Sequence, residues 1–270
     1  MSGIRYELLG VDGSLWKFGD PLCPVRLATT PTGLGGAPFK HQRLANARQP
    51  GADWVGRDDE INVIGLDVRV GPMTPGKPAR DVFKRWRAAL GYGDEVGEFR
   101  VYLDDEKLWQ ETRFEEPSRD PDLSMLDEIG FLAEKVKIAS DLSWWHAPAI
   151  VRTFTPAQFD KAQIPNDGDV DSWLHYEIHG PGEFTVGVGD DRVQLPYIGP
   201  DEVWDIETDE QAPHIHDGLG RDVWERVGVQ RFARSVRRSS TAAITLEATG
   251  TGATTSVKVT LPQLYRRASG

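Results

Sequence analysis

The chain has 270 residues, 39% of them hydrophobic, and carries 31 Lys and Arg against 42 Asp and Glu for a formal net charge of −11. The apolar fraction excludes a wholly disordered chain, the length suits one large or two ordinary domains, and 28 Gly with 18 Pro are poor ground for a long-helix bundle. Cys23 is the only cysteine, which excludes an intrachain disulfide and a cysteine-based zinc site, and charges interrupt every apolar run, which argues against a spanning helix or a signal peptide.

A soluble chain made in a reducing compartment is expected. In chain order, Tyr6–Phe18 reads as a hairpin, two β-prone runs flanking Asp12-Gly13. Residues 31–38, with Pro31, Gly33, Gly35, Gly36 and Pro38, read as a loop, and 61–70 alternates as a half-buried strand does. One segment has a different period. Val82, Phe83, Trp86, Ala89 and Leu90 form a single apolar helical face over 79–90, closed by Gly91. Strands are expected again at 99–104, 107–116 and 131–139, with an exposed loop at 117–124.

A boundary is expected near 146–149. Beyond it, strand candidates at 150–155, 173–179, 183–188, 192–197, 202–208, 227–233, 242–248 and 255–261 alternate with Gly, Pro, Asn and Asp clusters, as in an antiparallel sandwich. The fold class is therefore mainly β: a β-barrel or sandwich-like domain with one α-helix at 1–148, then an antiparallel β-sandwich at 149–270.

Charge is unevenly spread. Residues 149–220 carry 3 basic and 15 acidic side chains, a net of −12, whereas 221–270 carry 9 basic and 3 acidic, a net of +6. The simplest reading is that the two segments lie side by side and neutralise each other. Whole-chain acidity argues against nucleic acid as a partner.

The chemistry-bearing motifs are sparse. His214-Ile215-His216-Asp217 is the best metal candidate, because His214 and His216 share a strand face; His175 and His179 share one as well. A site would still need those rings brought together with a third ligand, and a turn with exposed histidines accounts for the motif more simply. Asp167, Asp169 and Asp171 start like a calcium loop, but Ser172 and Ile178 stand where Gly and Glu are required. The acid pairs Asp58/Asp59, Asp104/Asp105 and Asp190/Asp191 could serve a glycoside hydrolase, yet sequence neighbours on a strand face opposite ways. No nucleophile-elbow, P-loop or dinucleotide motif occurs, and Cys23 reads as structurally idle. Nine tryptophans invite sugar stacking, with core packing the stronger expectation. No catalytic residue, cofactor or metal is assigned.

The opening Tyr6…Leu8-Leu9-Gly10-Val11-Asp12-Gly13-Ser14-Leu15-Trp16 resembles the start of the distal tail proteins, or minor tail proteins, of long-tailed phages infecting actinobacteria. Ile164-Pro165-Asn166-Asp167-Gly168-Asp169 followed by Ile178-His179-Gly180-Pro181, then Val203-Trp204-Asp205-Ile206-Glu207-Thr208, and the closing Leu261-Pro262-Gln263-Leu264-Tyr265-Arg266-Arg267-Ala268 are similar to that family's C-terminal galectin-like sandwich. Glu207 stands where the family commonly has Asp. The resemblance spans nearly the whole chain. It implies a virion structural protein at the tail tip, synthesised in the host cytoplasm. N-terminal domains would form a homohexameric ring under the major tail tube protein, and C-terminal sandwiches would face the tail-tip hub and the receptor-binding proteins. Neither nucleic-acid binding nor membrane insertion is implied. In such a ring, Arg234, Arg237 and Arg238 would be candidate inter-subunit contacts. The alternative from another class is a carbohydrate-binding module contacting host cell-wall glycan through Trp173 and His175. The third is a β-rich hydrolase.

Overall fold

A computed structural model describes residues 3–46, 50–116 and 121–269. Among the described residues 46% lie in strands and 11% in helices, so the fold is mainly β. It divides into two compact units, Met1–His146 with Arg266–Gly270, and Ala147–Tyr265.

In the first unit, β1 (Arg5–Leu9), β2 (Leu15–Lys17), β3 (Val25–Leu27), β4 (Phe39–Leu44), β5 (Asp53–Asp59) and β6 (Asn62–Val70) precede helix α1 (Lys77–Leu90). Strands β7 (Gly97–Leu103) and β8 (Glu106–Glu116), the short helix α2 (Ser124–Glu128) and β9 (Leu132–Ser140) follow. Strand β8 is shared by two antiparallel groups. Its Glu106–Thr112 part pairs with β7, in the order β2-β1-β7-β8, and its far end pairs with β9, in the order β8-β9-β6-β3. Leu8, Phe99, Val101 and Leu108 from one group and Ile64, Leu66, Val68, Val136 and Ile138 from the other are buried.

Helix α1 begins two residues before the expected segment, with Pro78 in its first turn, and buries Ala79, Val82, Trp86, Ala89 and Leu90. Phe83, expected on that face, is half-buried under the Arg87 guanidinium. Gly91 ends the helix at φ 69°, a conformation that favours glycine. Gly10 matters for a different reason: a Cβ there would lie 2.6 Å from that of Ala89, and the adjacent Val11 N–H donates to the Ala89 carbonyl at 2.9 Å. The first hairpin forms, but Asp12 and Gly13 lie inside a longer connection between Leu9 and Leu15 rather than in a two-residue turn. Residues 117–120 of the expected loop lie outside the described residues, and its end opens α2. The closing residues are held by named contacts. Arg266 lies 3.7 Å from Asp59 and over the Trp144 ring, and the Ala268 N–H donates to the Leu34 carbonyl.

Among the described residues, strands β4 and β5 pair only with each other. Sequence reading missed this ribbon because every residue of β4 is exposed, so no apolar alternation marks it.

The second unit contains the end of β10 (Trp145–Phe154), a 3₁₀ turn (Pro156–Lys161), β11 (Gln163–Asn166), β12 (His175–His179), β13 (Glu183–Val188), β14 (Val193–Gln194), β15 (Val203–Glu207) and β16 (His214–His216). The helical turn α3 (Trp224–Val227) and the long strands β17 (Ser240–Thr249) and β18 (Ser256–Tyr265) complete it. Two antiparallel sheets result, ordered β16-β15-β12-β18-β10 and β11-β17-β13-β14. Tyr176, Ile178, Trp204, Ile206, Ile215, Val257 and Val259 of the first enclose one core with Ile164, Phe184, Val186, Val193, Ile244 and Leu246 of the second. The Tyr176 hydroxyl donates to the Gly187 carbonyl across that core at 3.1 Å, and burial pushes its phenol pKa up.

The strand expected at 227–233 is absent. Gly228 leaves α3 at φ 78°, and Val229 is fully exposed. Gln230 replaces the ladder: its side chain donates to the Gln194 carbonyl and accepts from the Gln194 N–H.

Candidate functional site

The chemistry of the second unit gathers on the outer face of its five-stranded sheet. In β12, Tyr176 and Ile178 enter the core, which leaves His175, Glu177 and His179 on the opposite side. By the same alternation β15 presents Asp205 and Glu207, and β16 presents His214 and His216. Four of the chain's six histidines thus share one sheet face.

The register decides which of them meet. Asp205 lies opposite Glu177 on β12 and His216 on β15's other neighbour, whereas His175 and His214 both lie opposite Glu207. Asp205 is therefore diagonal to both His175 and His214, within side-chain reach. Its Oδ1 is 2.7 Å from His175 Nε2, and its Oδ2 is 2.9 Å from His214 Nε2. Partial burial alone would raise the Asp205 pKa, but the hydrogen bond with His214 and the charge of His175 outweigh it and hold the carboxyl below its usual value. The His216 ring stacks on that of His214 at 4.4 Å.

The other acids on this face are engaged. Glu177 binds His179 at 2.9 Å and Lys258 at 3.0 Å, and Glu207 accepts the backbone N–H groups of Thr208 and Asp209. Asp217 turns away: it accepts from the Leu219 and Arg221 backbones and pairs with the Arg221 guanidinium at 2.6 Å, which holds its pKa at about 2. So His214 and His216 do share a strand face, but the pair that converges is His214 with His175. Asp205, the third member, was not singled out by sequence spacing. Its polar position between Trp204 and Ile206 was readable, but the register that brings it to both rings was not.

The remaining candidates fall elsewhere. Trp173 is half-buried, with part of its side chain packed against the sandwich core. Of the nine tryptophans only Trp54, on β5, is exposed, at 63%. In the Asp167–Asp171 turn, the buried Asn166 caps the Gly168 N–H, and Asp171 accepts from the Arg238 backbone. Asp104, at φ 55°, and Asp190-Asp191 occupy turns; Asp58 binds Gln42, and Asp59 pairs with Arg57. The Cys23 thiol donates to the Val25 carbonyl, and burial raises its pKa.

The acidic and basic segments do lie side by side. Strand β12 pairs with β18 and β13 with β17, and Arg234 to Asp190 and Lys258 to Glu177 cross between them. Arg237 and Arg238 are exposed and make no ion pair among the described residues.

No protein-family model and no curated protein matches the sequence. Solved structures do match. The Dit (gp 19.1) protein of phage SPP1, described as a paradigm of the hub adsorption apparatus in phages infecting Gram-positive hosts, has a TM-score of 0.71 at 11% identity, covering 96% of this chain and 98% of that one. The phage P2 baseplate in its activated conformation with Ca gives 0.53 at 10% identity, covering 97% and 98%. The same baseplate with Sr gives 0.54 at 10% identity with the same coverage. At these identities the likeness is one of fold, and it runs through both units.

Proposed function

We propose that this chain is a structural protein of a phage tail tip, of the distal tail family. Copies of the first unit assemble into a homohexameric ring between the tail tube and the tail-tip hub. The second unit, a galectin-like sandwich, contacts the hub or the receptor-binding proteins. The observation that carries this reading is the end-to-end match in fold to a hub adsorption protein, with almost no residue of either chain left over. Unrelated functions share folds, but a two-unit architecture matched at full length is a narrower coincidence than a single common domain.

The β4–β5 ribbon supports the self-assembly part. A two-stranded ribbon is marginal alone and presents unpaired edges. Phe39, Leu44, Trp54 and Val55 are all about half exposed or more on it. A second copy of this chain is the occupant that would cover them repeatedly in a closed ring.

Electron microscopy of virions labelled with an antibody to this chain tests the reading. Label at the tail tip is expected, and label elsewhere overturns it. The solution mass of purified protein tests the ring separately, with six times 30.0 kDa expected.

A further inference from the structure

We propose that His175, Asp205 and His214 form a binding site for a borderline transition-metal dication of the zinc type, on the outer face of the second unit and independent of any assembly role. One ligand atom from each of the three lies within 4.8 Å of the others. The two imidazole Nε2 atoms address different oxygens of one carboxylate, at 2.7 and 2.9 Å. Tetrahedral zinc holds nitrogen and oxygen ligands at about 2.0–2.2 Å, which sets neighbouring ligand atoms roughly 3.4 Å apart. Side-chain movements of about 1 Å therefore convert the present hydrogen-bonded arrangement into a coordination sphere.

The scaffold suits that conversion. Each ligand stands on a strand whose neighbours in the chain are core residues: Tyr176 beside His175, Trp204 and Ile206 beside Asp205, and Ile215 beside His214, all fully buried. Their backbones are fixed by continuous ladders, so only the side chains need adjust. Each ligand is also partly open to solvent, with side-chain exposures of 29%, 46% and 34% for His175, Asp205 and His214, so an ion can enter and a water can complete the sphere.

Charge and donor type select the ion. Around the site stand the carboxylates of Asp205, Glu177 and Glu207 against the single ammonium of Lys258, with His179 and His216 at its edges, which favours a cation. Two imidazoles and one carboxylate suit zinc, nickel, copper or cobalt. Calcium and magnesium require oxygen-rich spheres, and Glu177 and Glu207 are held away by their own partners.

The test is calorimetric titration of the chelator-treated full chain with ZnCl2, with CoCl2 as a spectroscopic probe and CaCl2 as the contrasting ion. One Zn2+ per chain is expected, with a tetrahedral Co2+ absorption and no calcium signal. His175→Gln, His214→Gln and Asp205→Asn should each weaken zinc binding at least tenfold. His179→Gln, on the same face but paired with Glu177, should leave it unchanged. Thermal unfolding of each metal-free variant identifies any that fails to fold, and the other two then carry the comparison. Absence of saturable zinc binding overturns the proposal, as does binding that survives His175→Gln combined with His214→Gln, or calcium binding as tight as zinc.

Discussion

The indole Nε1–H of Trp86 donates to the Glu134 carboxylate at 3.0 Å, and both residues are buried. Glu134 occupies an inward position of β9, between Leu132 and Val136, where alternation calls for an apolar side chain. Arg87 completes the arrangement by pairing with the other carboxylate oxygen. One charged group on an apolar strand face therefore fastens helix α1 to β9 and gives the buried indole its acceptor. Trp16 and Phe18 meet the same indole edge-on.

Glu134→Ala leaves the Trp86 N–H unpaired and Arg87 without this partner, next to a cavity. A loss of about 3 kcal/mol is expected, at the low end for breaking a buried pair because Arg87 is partly exposed. Glu134→Gln keeps an acceptor for the indole and should cost roughly half as much. Urea unfolding followed by tryptophan fluorescence measures both, and equal effects of the two substitutions would show that the charge is irrelevant.

The core of the second unit holds a comparable tie. Tyr176 is fully buried, and its hydroxyl reaches the Gly187 carbonyl of the facing sheet. Tyr176→Phe removes that hydrogen bond without changing the packing, and a loss of about 1 kcal/mol is expected in urea unfolding. A gain in stability would mean that the buried carbonyl is better served without it.

Strands with one buried face were legible where their side chains alternate: 61–70 and 131–139 are found within a residue of where the pattern puts them. The ribbon β4–β5 was not legible, because every residue of β4 is exposed and nothing in Phe39–Leu44 needs to alternate. The expected strand at 227–233 shows the converse. Val227, Val229 and Phe232 look like strand positions, but a helical turn, a positive-φ glycine and the Gln230 side chain take over the local hydrogen bonding. The histidine cluster was half legible. Spacing placed the rings on strand faces, while convergence on Asp205 depends on the β12–β15–β16 register, which no local pattern encodes.

Asp217 carries a pH prediction. Its carboxyl pKa is about 2 in the folded chain, chiefly through the hydrogen bond from Arg221, against about 3.9 when unfolded. A lowered folded pKa contributes stability that is present above the unfolded value and is lost as pH falls toward 2. The difference in urea midpoint between the parent chain and Asp217→Asn should therefore be widest above pH ~5 and close toward pH ~2. A constant difference across that range would assign the effect to lost turn geometry alone.

The exposed arginines separate by partner. Arg234 is already paired with Asp190 at 2.6 Å in the same chain, on a well-exposed surface, so Arg234→Glu should change stability by less than about 1 kcal/mol. Arg237 and Arg238 have no such ion pair among the described residues. If they meet an acidic flank of a neighbouring copy, reversing both to Glu should reduce assembly at low salt, while the parent assembly weakens as salt rises. Assembly mass measured over a salt series decides this, and an undiminished low-salt mass for the double reversal removes these residues from the interface.

The ribbon gives the sharpest separation of stability from assembly. Trp54 and Val55 are 63% and 60% exposed, so replacing both with Ser removes almost no core contact. The substitution also removes the exposed hydrogen bond from the Trp54 indole to His41 Nδ1 at 3.1 Å, so the monomer should unfold within about 1 kcal/mol of the parent chain. If copies of the chain assemble through this ribbon, assembly should fall sharply, because the same apolar side chains would be the ones a second copy covers, and buried aromatic anchors carry a disproportionate share of interface energy. Phe39 is a poorer choice for this test, since the Arg57 guanidinium packs over its ring at 3.8 Å and its loss would disturb the ribbon itself. Unfolding by urea and solution mass should be measured on the same Trp54→Ser/Val55→Ser preparation. An intact oligomer with unchanged stability would show that this ribbon faces solvent in the assembled particle as it does in the single chain.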